Sequence, residues 1–398
     1  MDKKINFIIV STNAYATFET RDIAGAMRIR NIFNGLIEKT GIKVSNLIML
    51  DLFGIEHNGQ QTSLHPKVKC LAIGYTSIIN PFSVLNFLKR GIKFINQQKQ
   101  KSAINIIYNY QYPDIRNFLL LVYAKSRGFK IVFDLVEDKQ HYPETKWNDR
   151  LNKKLSLFFL RIMPRYADAA FVISSHLEKE IAKITKNKIP IFSLPISVDF
   201  NNLHFSNHEK SKGDVEVFYG GSFGQKDGLE YLLEAINILQ RKNYRFKLIL
   251  SGKGEPADEQ KLFPLIKSNP LIEHRGFLST EAYFKLLGSV DICCMTRVKS
   301  AFANAGFPFK LGEFLAAGKV IVATRIGDVE KYLVHKENAY LINPESAEEI
   351  AEAIAFCIDN LPSLSQTMGP KARQVAKQYF DAAFSGSFLL EKCISISE

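Results

Sequence analysis

The sequence predicts an α/β protein built from two Rossmann-like, doubly wound parallel-sheet domains facing a cleft. Three observations carry this reading. Apolar strand-like runs alternate with helical stripes from end to end. A chain of 398 residues exceeds one ordinary core, so two domains are expected. A polar stretch without periodicity, 199–213, separates two similar halves. The expected domains are 1–200, to which a C-terminal helix at about 379–398 returns, and 201–378. Open sheets of this kind bind ligands at the carboxyl ends of their strands, which puts the expected site between the halves.

The elements follow in order. Ile5-Asn6-Phe7-Ile8-Ile9-Val10 is a first strand, followed by a polar loop from Ser11 to Gly25. A helix from about Ala26 to Lys39 places Ile29, Ile32, Phe33 and Leu36 on one stripe, and there Arg28 and Arg30 read as solvated positions or, alternatively, as contacts to an anionic acceptor. Strands are expected at 44–50, 104–108, 131–134 and 169–174, and a last run at 189–195 closes the half. The second half opens on a strand at Val215-Glu216-Val217-Phe218-Tyr219. Its first helix carries Leu229, Leu232, Leu233, Ile236 and Leu239 at helical spacing. Strands at 246–250, 292–295 and 320–324 continue the sheet, and Ser346 with Glu349 forms a capping box for a helix through Cys357.

One stretch carries chemistry. Gly306-Phe307-Pro308 is a loop opening a short helix that Gly318 ends, with Leu311, Phe314 and Leu315 facing inward and Glu313 on another side. A helix start offers free N–H groups and the positive end of a dipole to an anion. A carboxylate one turn further in can accept hydrogen bonds from a vicinal diol. The pattern therefore describes a nucleotide pocket, with ribose on Glu313 and diphosphate at the helix start. Locally, the same residues also describe a surface carboxylate beside a structural turn.

The net charge of +12 asks for an anionic partner, but the cations are dispersed and no nucleic-acid motif accompanies them, so nucleic acid is not expected. Two segments, 82–94 and 153–161, mix aromatics and cations without acids. They read either as membrane-surface helices or as helices with one core face and one solvated face. No apolar run approaches the roughly 20 residues that span a bilayer. The N-terminal apolar run is too short for a signal peptide, and five scattered cysteines fit a reducing cytosol, so a cytoplasmic protein is expected, peripheral to the inner face of the cell membrane.

Taken together, Tyr219-Gly220-Gly221-Ser222, Asp227 to Ala235, Ser251-Gly252-Lys253-Gly254-Glu255, Gly276-Phe277-Leu278 and Gly306-Phe307-Pro308 through Glu313 and Gly318 resemble the family-4 "group 1" retaining glycosyltransferases of the GT-B fold. Ala167 to Ser174 and Leu194 to Asp199 are similar to that family's segments before the linker. The resemblance implies a nucleotide-diphosphate sugar as donor, a lipid-linked or polysaccharide acceptor, retention of configuration, and surface polysaccharide or lipopolysaccharide biosynthesis as the setting. Donor contacts are then expected at Gly25, Gly221, Ser222, Lys226, Gly252, Arg297, Gly306, Phe307, Lys310 and Glu313. Three positions depart from the pattern. Ala305 stands where a first glutamate is usual, Ser222 replaces an arginine, and Asp227 occupies a lysine position beside Lys226. The displaced charge is then expected from Lys310, Lys226 or Arg297.

No Asp-x-Asp motif is present, so the sequence requires no metal and no cofactor beyond the donor substrate. Preorganised cations and N–H groups would stabilise the leaving diphosphate. Lys310 and Glu313 are the catalytic-site candidates of the second half. On the acceptor side, Arg21 and Asp22 follow the first strand, and Glu137, Asp138 and His141 follow the strand ending near Asp134. His141 reads as an acid/base or hydrogen-bond partner, or as part of a solvated loop. Two other readings stay open: a nucleotide-sugar epimerase on the same fold, and a binding protein that has lost turnover, suggested by Ala305 and Ser222.

Overall fold

The computed structural model describes residues 4–11, 23–37, 39–40, 42–51, 69–72, 81–110, 115–138, 140, 147–201, 203 and 214–398. The chain divides into two compact units, Met1–Ser197 with Ala382–Glu398, and Val198–Asp381.

In unit 1 the order is β1 (Ile5–Ser11), α1 (Ile23–Ile37), β2 (Val44–Asp51), β3 (Lys69–Ala72), α2 (Pro81–Gln98), β4 (Ile104–Tyr110), α3 (Ile115–Ser126), β5 (Lys130–Leu135), α4 (Trp147–Ile162), β6 (Ala169–Val172), α5 (Ser175–Thr185) and β7 (Ile191–Ser193). The strands form one parallel sheet in the order β3-β2-β1-β4-β5-β6-β7. β1, β4, β5 and β6 are buried almost throughout, as the unbroken apolar runs require of a sheet covered on both faces. The order reverses between β1 and β4, which marks a topological switch point.

Unit 2 repeats the plan with β8 (Val215–Ser222), α6 (Leu229–Arg241), β9 (Phe246–Lys253), α7 (Pro256–Ser268), β10 (Ile272–His274), α8 (Thr280–Ser289), β11 (Ile292–Met295), α9 (Ala301–Ala305), α10 (Phe309–Ala316), β12 (Val320–Thr324), α11 (Val329–Tyr332), β13 (Tyr340–Ile342), α12 (Ala347–Asp359) and α13 (Leu361–Tyr379). Its parallel sheet runs β10-β9-β8-β11-β12-β13, with the switch point between β8 and β11. All five stripe leucines and isoleucines of α6 are buried, in a core shared with α12. The capping box of α12 is half formed. Ser346 Oγ accepts from Glu349 N at 3.1 Å, while the Glu349 carboxylate turns instead to the backbone and side-chain N–H groups of Asn343.

The last helix, α14 (Ala382–Ser395), packs in unit 1. It crosses α1 in backbone contact. A Cβ on Gly35 would lie 2.1 Å from the Ala382 carbonyl oxygen, and one on Gly386 2.4 Å from that of Gly35. Glycine at both positions lets the helix axes approach, and Leu389, Leu390 and Cys393 are buried beside the crossing.

Arg28 departs from its sequence reading. It is fully buried, with Nε and Nη2 on the two carboxylate oxygens of Asp134 at 2.7 and 2.8 Å. Nη1 and Nη2 also donate to the carbonyls of Pro195 and Leu194 at 2.8 and 3.0 Å. Burial acts to lower the Arg28 pKa, but Asp134 more than offsets it, so the guanidinium stays charged.

A second close approach shapes the carboxyl edge of the unit 2 sheet. Gly252, at φ +143°, ends β9 against β8, and a Cβ there would lie 1.7 Å from the Gly221 carbonyl oxygen. Gly276 also has positive φ, +64°, but faces nothing within 4 Å. Gly252→Ala is therefore expected to lower unfolding free energy by about 3 kcal/mol or more. Gly276→Asn should cost about 1 kcal/mol or less, since asparagine tolerates the left-handed region. Paired urea titrations check this, and equal losses would contradict the reading.

Candidate active site

Two clusters lie where the strands of unit 2 end. The first is built on the turn after β8. Tyr219 Oη donates to the Ser222 carbonyl at 2.6 Å, and the Ser222 hydroxyl donates to Asp227 Oδ2. Arg297, from the loop after β11, reaches Asp227 Oδ1 at 3.3 Å with both side chains largely covered. Thr296 Oγ1 donates to the Asp227 carbonyl, and Val298 N to the Lys226 carbonyl. The Lys226 ammonium lies 4.7 Å from the Phe302 ring centroid. The aspartate at the departed lysine position is thus partnered by an arginine from the neighbouring strand end. Burial first, then the charge of Asp227, pushes the Tyr219 phenol well above its ordinary pKa and keeps it a donor.

The second cluster is built on α10. Pro308 is its N-cap residue, Leu311 N donates to the Pro308 carbonyl at 3.1 Å, and Leu311, Phe314 and Leu315 are buried. Glu313, one turn in, accepts from Tyr283 Oη at 2.9 Å, and Lys310 Nζ lies 3.5 Å from the same oxygen, Oε2. The Lys310 ammonium also sits 3.9 Å from the Tyr283 ring centroid. Tyr283, on the buried side of α8, packs on Phe218 of β8 at 6.0 Å, and a Cβ on Gly220 would meet its ring at 3.0 Å. The two clusters therefore share β8.

The other expected donor residues are placed as follows. Gly221 and Gly252 fix the approach of β8 and β9. Gly306 follows α9 in extended conformation. The Phe307 residue is 2% exposed and its ring packs on Tyr332 and Phe380 at 5.6 and 5.5 Å, so the side chain is core rather than a ligand contact. Ala305 is buried at the end of α9, in the place of a second carboxylate.

In unit 1, Gly25 is buried in the first turn of α1. Asp138, in the loop after β5, is buried and lies 3.1 Å from His176 Nε2, at the start of α5, while Gln140 N donates to its other oxygen at 2.8 Å. Glu137 is half-buried beside it. Arg21, Asp22 and His141 lie outside the described residues. Sequence reasoning did not find Tyr283, Phe302 or His176. Tyr283 and Phe302 carry no local signal beyond a core aromatic, and His176 none beyond a helix start. Among the described residues no cluster of His, Cys, Asp and Glu could hold a metal ion.

Comparison with known proteins gives this geometry a context. Residues 214–360 match the family model described as "Glycosyl transferases group 1". An uncharacterized glycosyltransferase of Methanocaldococcus jannaschii is 22% identical over 318 residues, covering 73% of this chain and 82% of the relative. Among solved structures, a sucrose-phosphate synthase from Thermosynechococcus elongatus superposes with TM-score 0.74 at 14% identity, over 99% of this chain and 100% of that one. Anabaena HepE in complex with UDP-glucose gives 0.69 at 15% identity, over 99% and 100%. At such identities the structural likenesses show the fold, the two-domain α/β architecture of the GT-B class. With residues 214–360 matching the group 1 model, the chain is a transferase enzyme of glycosyltransferase type.

Proposed function

We propose that the chain is a family-4-type retaining glycosyltransferase. It moves a sugar from a nucleotide-diphosphate sugar to a lipid-linked or polysaccharide acceptor at the inner face of a membrane, in surface polysaccharide assembly. The observation that carries the donor half is Glu313, fixed one turn inside α10 at the carboxyl edge of the unit 2 sheet. HepE, of the same fold, binds UDP-glucose, which supports a nucleotide-sugar donor. In this reading Glu313 accepts from the ribose, while Lys226, Arg297 and Lys310 face the diphosphate. As the bond from the anomeric carbon to the phosphate oxygen breaks, these cations stabilise the charge that builds on the leaving group. The acceptor hydroxyl forms the new bond from the same face, and the departing phosphate oxygen takes its proton. Asp138, Glu137 and His141 would serve the acceptor.

A membrane partner is supported by unit 1. α2, α3 and α4 pack side by side, Gly91 against Leu120 and Phe118 stacked on Phe159 at 4.4 Å. Outward they present Phe82, Leu85, Leu119, Val122, Leu151 and Phe158, each at least 40% exposed. Lys89, Arg90, Lys93, Lys154 and Arg161 are exposed on the same helices, whose sequences hold one acid, Asp149. Aromatic and aliphatic groups among cations fit the interface of an anionic bilayer.

A second reading, nucleotide binding without turnover, is favoured by the Asp227–Arg297 pair, which neutralises one expected phosphate cation, and by Ala305. The test is incubation of the purified chain with radiolabelled nucleotide sugars and bacterial lipid extract. The proposal expects label in lipid or polymer. Free epimerised donor would instead indicate an epimerase, and tight binding with no product the second reading. Lys310→Ala should lower kcat/KM by about a hundredfold, and unchanged turnover and donor affinity would sink its role. In flotation assays the chain should bind phosphatidylglycerol vesicles and not phosphatidylcholine ones. Phe82→Asp with Phe158→Asp should abolish binding without lowering the melting temperature; binding that survives the double change contradicts the surface.

A further inference from the structure

We infer that His176 is an acceptor-contacting residue, held by the buried carboxylate of Asp138 so that its Nδ1 accepts a hydrogen bond from a sugar hydroxyl. The inference rests on the reading of the carboxyl edge of unit 1 as the acceptor side. It assigns the contact to the histidine and makes Asp138 a positioning residue.

β5 and β6 are parallel neighbours, in register from Val132 with Ala169 to Leu135 with Val172. Their carboxyl ends emerge side by side, and just past them Ile173 N still donates to the Leu135 carbonyl at 3.2 Å. The loop after β5 and the start of α5 grow from these two ends. Two side-chain ties join them. Asp138 Oδ2 meets His176 Nε2 at 3.1 Å, and Gln140 Nε2 donates to Glu180 Oε2 at 3.3 Å. His176 and Glu180 are neighbours one turn apart on α5, so the loop is laid along the helix.

The two members of the first tie are placed unequally. The Asp138 side chain is 3% exposed and that of His176 31%. Asp138 Oδ1 also accepts from Gln140 N at 2.8 Å, so each carboxylate oxygen is held. A carboxylate sealed in this way orients its partner, and the imidazole is the member that a ligand reaches. The local fold does not account for the histidine. Ser174 caps α5, its Oγ accepting from Leu177 N at 3.3 Å, and Leu177, Ile181 and Thr185 form the buried stripe. A carboxylate only accepts, so the ring nitrogen against it, Nε2, carries a proton. In the neutral ring Nδ1 then presents a lone pair. A lone pair calls for a donor, and a saccharide offers hydroxyl donors. Asp138 thus sets both the orientation and the tautomer of the ring, as a carboxylate does behind a catalytic or metal-bound histidine. The reacting hydroxyl gives its proton to the departing phosphate oxygen, so His176 holds a neighbouring hydroxyl of the same acceptor sugar and turns that sugar toward the donor.

The test compares the full chain with His176→Gln and His176→Asn. It measures transfer of label from radiolabelled nucleotide sugars into serial dilutions of bacterial lipid extract, the melting temperature, and the dissociation constant of UDP, GDP or ADP, whichever binds. The two substitutions split the ring. Glutamine brings an amide N–H to the place of Nε2 and keeps the tie to Asp138, but it has no acceptor at the place of Nδ1. Asparagine puts its amide oxygen at the place of Nδ1 and does not reach Asp138. His176→Gln should hold the melting temperature within about 1 °C and the diphosphate constant within about twofold. Its transfer at limiting extract should fall about tenfold or more, the worth of one lost hydrogen bond. His176→Asn should melt lower and keep more transfer than His176→Gln. A merely structural tie gives the reverse ranking, with His176→Gln near wild type in every measurement, and that result overturns the inference. A diphosphate constant that weakens in step with transfer overturns it too. If His176→Asn does not fold, His176→Gln decides alone. If the wild-type chain puts no label into lipid or polymer, the glycosyltransferase reading itself fails. Wild-type transfer with undiminished transfer by His176→Gln removes the present inference only.

Discussion

The contact between Tyr283 and Glu313 is the constraint around which the unit 2 edge is arranged. It joins two helices that the chain order separates by a strand and a short helix, and it is the hydrogen bond that the buried Tyr283 hydroxyl makes. Without it the carboxylate would be one exposed rotamer among several, on a helix of eight residues. With it, the carboxylate is a fixed acceptor beside the start of α10, with its charge balanced locally by Lys310. In the proposed reading, preorganisation of this kind would let a short helix serve as a binding element, because the ordering is done by the core before a ligand arrives.

The turn after β8 solves a related problem differently. A negatively charged residue, Asp227, would repel the phosphate that the proposed reading brings near it, but it is covered and shared between Ser222 and Arg297. Arg297 is oriented by this pairing, and its planar guanidinium keeps further N–H groups to offer. The backbone beneath is set by the contact of Gly252 with Gly221, which leaves no room for a side chain between the two strand ends. In unit 1 the same logic uses charge in place of space. The buried Arg28–Asp134 pair, with the carbonyls of Leu194 and Pro195, ties α1 to β5 and to the segment that leaves β7. Removing either partner of such a pair strands the other, which makes the arrangement a device for fixing one geometry.

Periodicity carried most of the fold. The runs that became β1, β4, β5, β8, β9 and β12 were legible because strands covered on both faces need unbroken apolar sequence, and the α6 stripe because a helix with one buried face repeats every three to four residues. The short edge strands β3, β10 and β13 carry too few residues to show a period. For the site, Glu313 was legible from the loop and helix that hold it, since those signals lie within a few positions. Tyr283 was not, because a tyrosine on an apolar stripe looks like core and its partner lies 30 residues away. Arg28 was misread for the same reason at greater range, its carboxylate partner being 106 residues distant. Phe307 read as a loop residue facing a ligand, yet it is enclosed by Tyr332 of α11 and Phe380, the residue that caps the end of α13. Local pattern finds elements and their ends; it does not find contacts made only when the chain closes on itself.

The central claim is that Glu313, held at one oxygen by Tyr283, grips a nucleotide ribose at the carboxyl edge of the unit 2 sheet. A crystal structure grown with the tightest-binding nucleoside diphosphate tests it most directly. The account predicts a ribose hydroxyl within about 3 Å of Oε1, Tyr283 still on Oε2, and the phosphates beside Lys310, Lys226 or Arg297. A nucleotide bound elsewhere, or a Glu313 side chain turned to bulk water with the ribose out of reach, would contradict it.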